Sequence, residues 1–222
     1  MKFTLGQRLA AEFIGTAGIV AVVLGASHMA AALESDPVMG LTINALATAG
    51  ALFVLISLFA SVSGSHFNPV VTFVLYLRSE IQAALAMGYI AAQLLGAILG
   101  AVLANLMFGK DAITISSVER SGAGIHLGEV IASFGLVLII LLLSQQGKGN
   151  LIPVAVPLWI LAGYFFTSST SFANPAVTIG RTFSDAAGSI TLQSVPMFIV
   201  TQVLGALIAL GVATLLKPQT ER

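Results

Sequence analysis

Two short stretches decide the fold of this chain: Asn68-Pro69-Val70-Val71-Thr72 and Asn174-Pro175-Ala176-Val177-Thr178. Each begins with Asn-Pro, and each follows a long apolar run in its own half of the chain. Proline suits the first turn of a helix, where its missing N–H removes no hydrogen bond, and asparagine is a favoured N-cap. Each stretch therefore predicts a short helix that begins at its proline.

The rest of the chain is strongly apolar. Of its 222 residues, 57% are hydrophobic and 8% are charged, against about 25% charged in soluble domains. Runs of about 20 apolar residues predict membrane-spanning helices. Six such runs lie near 9–27, 41–62, 82–108, 126–144, 151–169 and 190–216. The stretches between them that carry Asn-Pro, Ser63–Arg78 and Ser169–Asp185, are too short to cross and are predicted to be re-entrant half-helices.

The two halves of the chain, about 1–110 and 126–222, repeat one another. Three pairs of segments match in the same order, centred on Glu12 and Glu129, on Asn68 and Asn174, and on Gln93 and Gln202. Because each half holds three crossings, the second half enters the membrane from the opposite side. The predicted fold class is an all-α membrane protein, a single channel domain over 1–222 built as an inverted repeat.

Re-entrant segments imply a path across the membrane, because non-helical backbone survives at that depth only where it is buried in protein or lines a water-filled cavity. Inverted halves bring the half-helices in from opposite faces, so Asn68 and Asn174 should meet near the midplane. Two positive helix ends there would oppose a cation or hydronium, whereas a neutral molecule could accept hydrogen bonds from the amides. The pattern favours a pore for uncharged solutes.

Charge and cysteine content exclude several other classes. Nine Lys and Arg balance nine Asp and Glu, which leaves no basic excess for nucleic acid. The chain has no cysteine and three histidines, so thiol and zinc chemistry are not expected. The sequence predicts no enzyme, no metal site and no cofactor; its expected partners are small neutral solutes, water and the lipid bilayer.

Basic residues divide six to three between the two predicted faces. Lys2, Arg8, Arg78, Lys148, Lys217 and Arg222 fall on one side, and Lys110, Arg120 and Arg181 on the other. The positive-inside rule therefore predicts that both termini are cytoplasmic. The expected location is the inner membrane of a cell, with several crossings.

The segments Ser63-Gly64-Ser65-His66-Phe67-Asn68-Pro69-Val70-Val71-Thr72 and Phe172-Ala173-Asn174-Pro175-Ala176 resemble the paired Asn-Pro-Ala boxes of the aquaporin and glycerol-facilitator family. The resemblance covers nearly the whole chain, since the repeated Glu and Gln positions and the order of the spans are also similar to that family. It implies an aquaporin-like fold, a passive channel, and a homotetramer with one pore per subunit. It also implies that His66 lines the cytoplasmic half of the pore.

Departures from the family pattern affect which solutes the resemblance predicts. Val70 replaces the final Ala of the first box, and Val177 occupies the position where most members carry an Arg that narrows the outer pore. The family's spacing places the other filter residues at Thr48, Ala162 and Ser171. All four filter residues are small or medium in size and uncharged, so the resemblance implies a wide filter that suits a polyol-sized neutral solute.

Several functions remain open. Residues 166–178 resemble a bacterial subgroup associated with arsenical resistance, which implies permeation by the neutral trihydroxide of arsenic or antimony; a water, glycerol and urea channel is the alternative. An ion-coupled secondary transporter also uses inverted repeats, although no ionisable residue other than His66 flanks the two asparagines. An intramembrane hydrolase with Ser63 or Ser65 as nucleophile lacks a G-x-S-x-G elbow.

Glu12 and Glu129 lie inside predicted spans, where ionisable residues are usually functional. They could relay protons, but their equivalent positions in the repeat favour a structural role in which each acid braces one re-entrant loop.

Arg181 is the last candidate. In a helix that begins at Pro175, Asn174, Val177 and Arg181 lie at i, i+3 and i+7 on one face, so Arg181 is predicted to look into the outer vestibule of the pore. The alternative is a surface ion pair with Asp185, four residues further on.

Overall fold

A computed structural model describes residues 3–217 of the protein. Lys2 and Arg222, which contribute to the predicted orientation, lie outside this part of the chain. The described residues form helices joined by loops. The α-helices are α1 (Leu5–Ala32), α2 (Pro37–Ser63), α3 (Pro69–Leu77), α4 (Ala83–Met107), α5 (Ala123–Gln145), α6 (Ile152–Phe166), α7 (Pro175–Gly180) and α8 (Val195–Leu215). Short 3₁₀ turns cover Gly149–Leu151, Arg181–Phe183 and Leu192–Ser194.

Six helical segments within residues 3–217 are long and apolar enough to cross a membrane: α1, α2, α4, α5, α6 with its preceding 3₁₀ turn, and α8. They coincide with the six predicted spans, so the predicted all-α membrane fold is confirmed. The two remaining helices, α3 and α7, are the short ones that begin at Pro69 and Pro175.

Side-chain caps explain where the short helices begin. Asn68 Oδ1 accepts a hydrogen bond from the Val70 N–H at 3.0 Å. Asn174 Oδ1 accepts from the N–H groups of Ala176 and Val177, at 3.0 and 3.2 Å. These bonds satisfy helix N–H groups that have no partner in the first turn, so each Asn-Pro pair fixes the start of its helix.

The fifth span ends earlier than the sequence predicts. Helix α6 stops at Phe166 rather than near residue 169, because Thr167 adopts an extended conformation with φ −101° and ψ 140°. Hydroxyl groups there bond to local backbone: Thr167 Oγ1 donates to Gly163 O at 2.7 Å, and Ser169 Oγ accepts from the Ser171 N–H at 3.2 Å. Such bonds compete with the helix. They shorten α6 and lengthen the connection to the second re-entrant loop, residues 169–174, here called the outer loop.

Glycines allow two helix pairs to pack closely. A Cβ on Gly96 of α4 would collide with Phe13 O of α1, and a Cβ on Gly205 of α8 would collide with Val130 O of α5. Small residues at helix contacts let backbones approach in membrane proteins. The α1–α4 and α5–α8 pairs therefore hold the matching acids of the repeat in the interior of the molecule, each beside one Asn-Pro loop.

Candidate functional site

A central cavity of about 110 Å³ passes between the two re-entrant loops. A single water molecule needs roughly 10–15 Å³ of such volume, so the cavity holds several waters. Its walls are mostly apolar side chains of α1, α2, α3, α5 and α6. Its polar lining consists of Thr48, Ser65, His66, Asn68, Tyr164, Ser171, Asn174 and Arg181.

The two asparagines connect the loops to each other at the middle of this cavity. Asn68 Nδ2 donates to Ala173 O at 2.7 Å, and Asn174 Nδ2 donates to Phe67 O at 2.8 Å. A side-chain amide has two N–H donors, so each bond leaves a second N–H for a solute in the cavity. The arrangement presents two donors at one level of the path, close to the N-terminal ends of α3 and α7.

Glu12 holds the first re-entrant loop, residues 63–68, here called the inner loop. Its Oε1 accepts from Ser63 Oγ at 2.6 Å and from the His66 N–H at 3.0 Å. Its Oε2 accepts from the Phe67 N–H at 2.7 Å and from Gln93 Nε2 at 2.8 Å. One buried carboxylate thus accepts from two backbone N–H groups of the loop and from two side chains, which is the geometry expected of a brace.

Glu129 holds the outer loop in the same way. Its oxygens accept from the Phe172 and Ala173 N–H groups, both at 2.9 Å, and from Gln202 Nε2 at 2.6 Å. Gln202 also donates to Thr178 Oγ1 of α7 at 2.9 Å. The acid, the amide and the half-helix therefore form one buried network, and the corresponding residues of the first half form another.

His66 lines the inner half of the cavity. Its Nδ1 lies 3.0 Å from Thr72 Oγ1, and its ring packs edge-on against Tyr89 with centroids 5.0 Å apart. Tyr89 in turn accepts from Arg8 Nε and donates to Ser63 O, each at 2.8 Å. These contacts hold the imidazole against the wall of the path.

The outer half of the cavity contains three of the four residues predicted for the filter: Thr48, Ser171 and Val177. The Ser171 hydroxyl does not face the path, because its oxygen is fully buried without a hydrogen-bond partner and the side chain packs on Gly163. The Thr48 hydroxyl bonds to Asn44 and Tyr164. Ser171 therefore lines the cavity without turning its hydroxyl to the path, and the Thr48 hydroxyl is already bonded.

Ala162 does not line the cavity, contrary to the sequence-based expectation. Its side chain is exposed on the outer surface of α6. The lining residues of this helix, Ile152, Val156, Ile160 and Tyr164, recur every four residues, and a residue two positions from them faces the opposite side. Tyr164 therefore takes the position that we expected Ala162 to occupy, so an aromatic side chain lines the cavity there in place of a small one.

Arg181 is 2% exposed and lines the outer end of the central cavity. Its Nε donates to Gly188 O, and its guanidinium carbon lies 3.4 Å from the centroid of the Phe172 ring. The alternative ion pair with Asp185 is wrong, because Asp185 Oδ1 instead accepts from the N–H and Oγ of Ser117, at 2.8 and 2.9 Å. These two bonds stabilise the carboxylate and lower the pKa of Asp185.

Arg120 belongs to the site, although sequence reasoning did not select it. Its Nε donates to Ser189 O at 2.8 Å and its Nη2 to Ala187 O at 3.0 Å. Together with the Arg181 bond to Gly188, three successive carbonyls hold two guanidinium groups. Arg120 lies in the loop between α4 and α5, where no helical period could have predicted which way its side chain points.

A second cavity of about 520 Å³ lies outside the first. Its lining includes Arg120, Arg181, Tyr164, Asn44 and Asp36. The path therefore widens outward from the crossed asparagines into a vestibule that contains two arginines.

Comparisons with known proteins agree with this geometry. Residues 1–171 match the family described as Major intrinsic protein. The chain is 40% identical to aquaglyceroporin AqpS of Rhizobium meliloti (strain 1021) over 210 residues, which cover 95% of this chain and 90% of that protein. It is 31% identical to aquaporin PIP2-5 of Zea mays, over 81% of this chain and 71% of that one.

The fold also matches the X-ray structure of the aquaglyceroporin from Plasmodium falciparum, with a TM-score of 0.74, 22% identity, and coverage of 94% of this chain and 95% of that chain. At this identity the likeness concerns the fold alone. The family match, the relatives and the crossed half-helices lead to one conclusion: the chain belongs to the major intrinsic protein family and is a multi-pass membrane channel, not an enzyme, for water and small neutral solutes.

Proposed function

We propose that this channel passes neutral solutes of polyol size together with water, and that the neutral trihydroxides of arsenic and antimony are among its solutes. The observation that carries the proposal is Val177. Its side chain lines the cavity at the position where most family members place an arginine. An uncharged residue there leaves room for a solute larger than water.

The hydrogen-bonding groups of the path support the same solute class. The remaining amide N–H groups of Asn68 and Asn174 offer two donors at one level, between mostly apolar walls. A molecule with several hydroxyl oxygens can accept from both donors, whereas a cation meets two positive helix ends. The resemblance of residues 166–178 to the arsenical-resistance subgroup is the basis for including metalloid trihydroxides.

We also propose that the protein is a homotetramer in an inner membrane, with both termini cytoplasmic and the halves 1–110 and 126–222 related as an inverted repeat. The matching α1–α4 and α5–α8 contacts support the repeat. Among the described basic residues, Arg8 lies beside the inner loop, while Arg120 and Arg181 lie at the opposite, outer end. This distribution supports the orientation given by the positive-inside rule.

Stopped-flow light scattering of proteoliposomes tests the solute proposal. Vesicles with the purified channel receive gradients of water, glycerol, urea and arsenite in turn, with protein-free vesicles as the control. We expect each solute to equilibrate faster than in the control, and the rate to be independent of proton and sodium gradients. Passage of water alone would refute the proposal, and dependence on an ion gradient would indicate a secondary transporter.

A further inference from the structure

We infer that solutes are selected where the central cavity meets the outer vestibule, between Tyr164 and Arg181, and not at the level of Val177. This inference rests on the proposed function, because it names the residues that set which neutral solutes enter. Of the described residues, Tyr164 and Arg181 are the two that line both cavities. Since both cavities reach these two side chains, the two spaces meet there, and we place the opening between them at Tyr164 and Arg181.

Tyr164 is fixed at this opening by α2. Its hydroxyl donates to Asn44 Oδ1 at 3.0 Å and lies 3.0 Å from Thr48 Oγ1. Asn44 is itself held by Val23 O and Ser27 Oγ of α1, at 2.9 and 2.7 Å. Since these bonds occupy the hydroxyl and the side chain is only 4% exposed, the surface that Tyr164 offers to the path is its aromatic ring.

Arg181 supplies the polar side of the opening. Of its five N–H donors, the Nε donor is used by Gly188 O, and the four on the terminal nitrogens have no acceptor within residues 3–217. The one ion pair among those residues joins Arg78 to Glu80, so Arg181 forms no ion pair there. Its guanidinium stacks on Phe172, which keeps the planar group in one orientation.

The opening therefore combines an apolar ring with a guanidinium group whose terminal N–H donors have no acceptor within residues 3–217. A solute that carries several oxygens along one edge and a carbon or metalloid centre on the other can satisfy both. A small cation is repelled by the guanidinium, whereas a neutral solute is not. The solute class is thus a neutral polyhydroxy molecule short enough to pass the ring, whose oxygens accept from Arg181.

This location differs from the one that the sequence suggests. Arg181 lies four residues after Val177, which along a helix is about 6 Å further outward. The arginine that is missing at Val177 is in effect replaced by one from the next turn, and Tyr164 faces it. The wide level at Val177 then becomes a chamber behind the opening.

Chemical labelling tests the location without reference to any transported solute. The chain has no cysteine, so single-cysteine variants can be labelled cleanly. A bulky cationic methanethiosulfonate reagent is added to detergent-solubilised Ala187→Cys, which lines the vestibule, and to Val177→Cys, behind the opening. We expect Val177→Cys to react at least roughly tenfold more slowly, equivalent to a barrier of about 1.4 kcal/mol. Equal labelling rates would overturn the inference.

The same pair of variants is then compared in the Tyr164→Ala background. Removal of the ring should bring the labelling rate of Val177→Cys close to that of Ala187→Cys. If Tyr164→Ala does not give a monodisperse protein, Tyr164→Leu, which removes the ring but keeps an apolar side chain, takes its place. A Val177→Cys rate that stays slow in the folded background variant would count against Tyr164 as the barrier.

Flux measurements separate this inference from the proposed function. Tyr164→Ala should raise the permeability of proteoliposomes to a longer polyol such as sorbitol by roughly tenfold relative to water, whereas Val177→Ala should leave the ratio within about twofold. The reverse result would place the selecting level at Val177. If the unmodified channel excludes all polyols, the proposed function fails, while the labelling result still decides where the opening lies.

Arg181 is tested by ion leak. Arg181→Ala should let sodium leak into proteoliposomes, whereas Arg181→Lys, which keeps the charge, should not. Asp185→Ala is the matched control on the same segment, because Asp185 bonds to Ser117 and lies outside both cavities that meet at the opening. Leak in Asp185→Ala but not in Arg181→Ala would contradict a role for the guanidinium.

Discussion

The inner loop, residues 63–68, and the outer loop, residues 169–174, share one scaffold but differ in what lies beyond them. Each loop is bonded to a buried glutamate and receives one asparagine bond from the other loop. The inner loop leads to α3, which ends beside the exposed pair of Arg78 and Glu80. The outer loop leads to the shorter α7 and then to the carbonyls that hold Arg120 and Arg181.

The contacts that the two loops share serve stability, and those found at the outer end alone serve selectivity. The shared contacts satisfy backbone groups, and since a membrane offers no water to replace them, both halves need them equally. The contacts found only beyond the outer loop position the charges of Arg120 and Arg181, and bonds to α2 hold the ring of Tyr164 at the same end of the path. Equivalent substitutions in the shared scaffold should therefore have the same effect in the two halves. Substitutions of Tyr164 or Arg181 have no equivalent in the first half and should change selectivity.

The largest effect is expected for the glutamates. Glu12→Ala and Glu129→Ala each leave at least three buried donors without an acceptor, at about 1–3 kcal/mol for each donor. Both variants should lose folded protein to the same degree, as measured by the yield of monodisperse channel in detergent, whereas Glu80→Ala should not. A channel that tolerates one of the two changes would show that the scaffolds are not equivalent.

The next largest effect concerns ion exclusion. An aspartate in place of Asn68 or Asn174 cannot donate to the opposite loop, and it adds negative charge beside the positive helix ends. Asn68→Asp and Asn174→Asp should each admit sodium, as measured by electrical recording or by tracer uptake into vesicles. Asn150→Asp, on the exposed surface, is the control; folded variants without new cation leak would argue against this barrier.

A smaller and more selective effect is expected for Val177→Arg. The added guanidinium would lie four residues from Arg181 on the same face and would narrow the chamber behind the opening. Flux of glycerol or arsenite should fall much more than water flux, whereas Val177→Leu, which adds bulk without charge, should change the ratio less. Equal loss of every flux in a folded protein would contradict a selective role for this position.

The smallest effect concerns the loop beyond the outer half-helix. Because bonds from Ser117 lower the pKa of Asp185 below its ordinary value of 3.8, this contact stabilises the loop above that pH and is lost as the pH falls through the lowered pKa. The protection of the amides of residues 115–118, which compares their exchange rate with that of an unstructured peptide at the same pH, should therefore fall below about pH 4. Asp185→Asn should remove this pH dependence; an unchanged profile would show that other groups cause it.

Local chemistry explains what the sequence could predict. The caps at Asn68 and Asn174 depend on neighbouring residues, and the two acids lie in matching segments of the repeat, so the half-helices and the acids could be placed from the sequence. Counting back from Asn174 failed for Ala162, because the intervening loop contains Thr170 and Ser171 with φ of 63° and 56°. No helical period holds across such backbone.

The position of Arg120 also lay beyond sequence reasoning, for a different reason. Its partners are carbonyls of the segment 187–189, almost 70 residues away along the chain. Backbone acceptors carry no sequence signature, since every residue has one. Arg181, in contrast, could be placed from the period of α7, because one helical turn separates it from Val177.

The crossed asparagine bonds have a consequence for how the channel is made. The inner loop is synthesised before the outer loop, because it comes first in the chain. The partners in the crossed bonds lie 105 and 107 residues apart. Until the second half arrives, Phe67 O and the Asn68 amide lack these partners, and each unpaired group costs several kcal/mol in hydrocarbon. A nascent chain that stalls after α4 therefore carries an inner loop whose polar groups lack the partners that complete the pore.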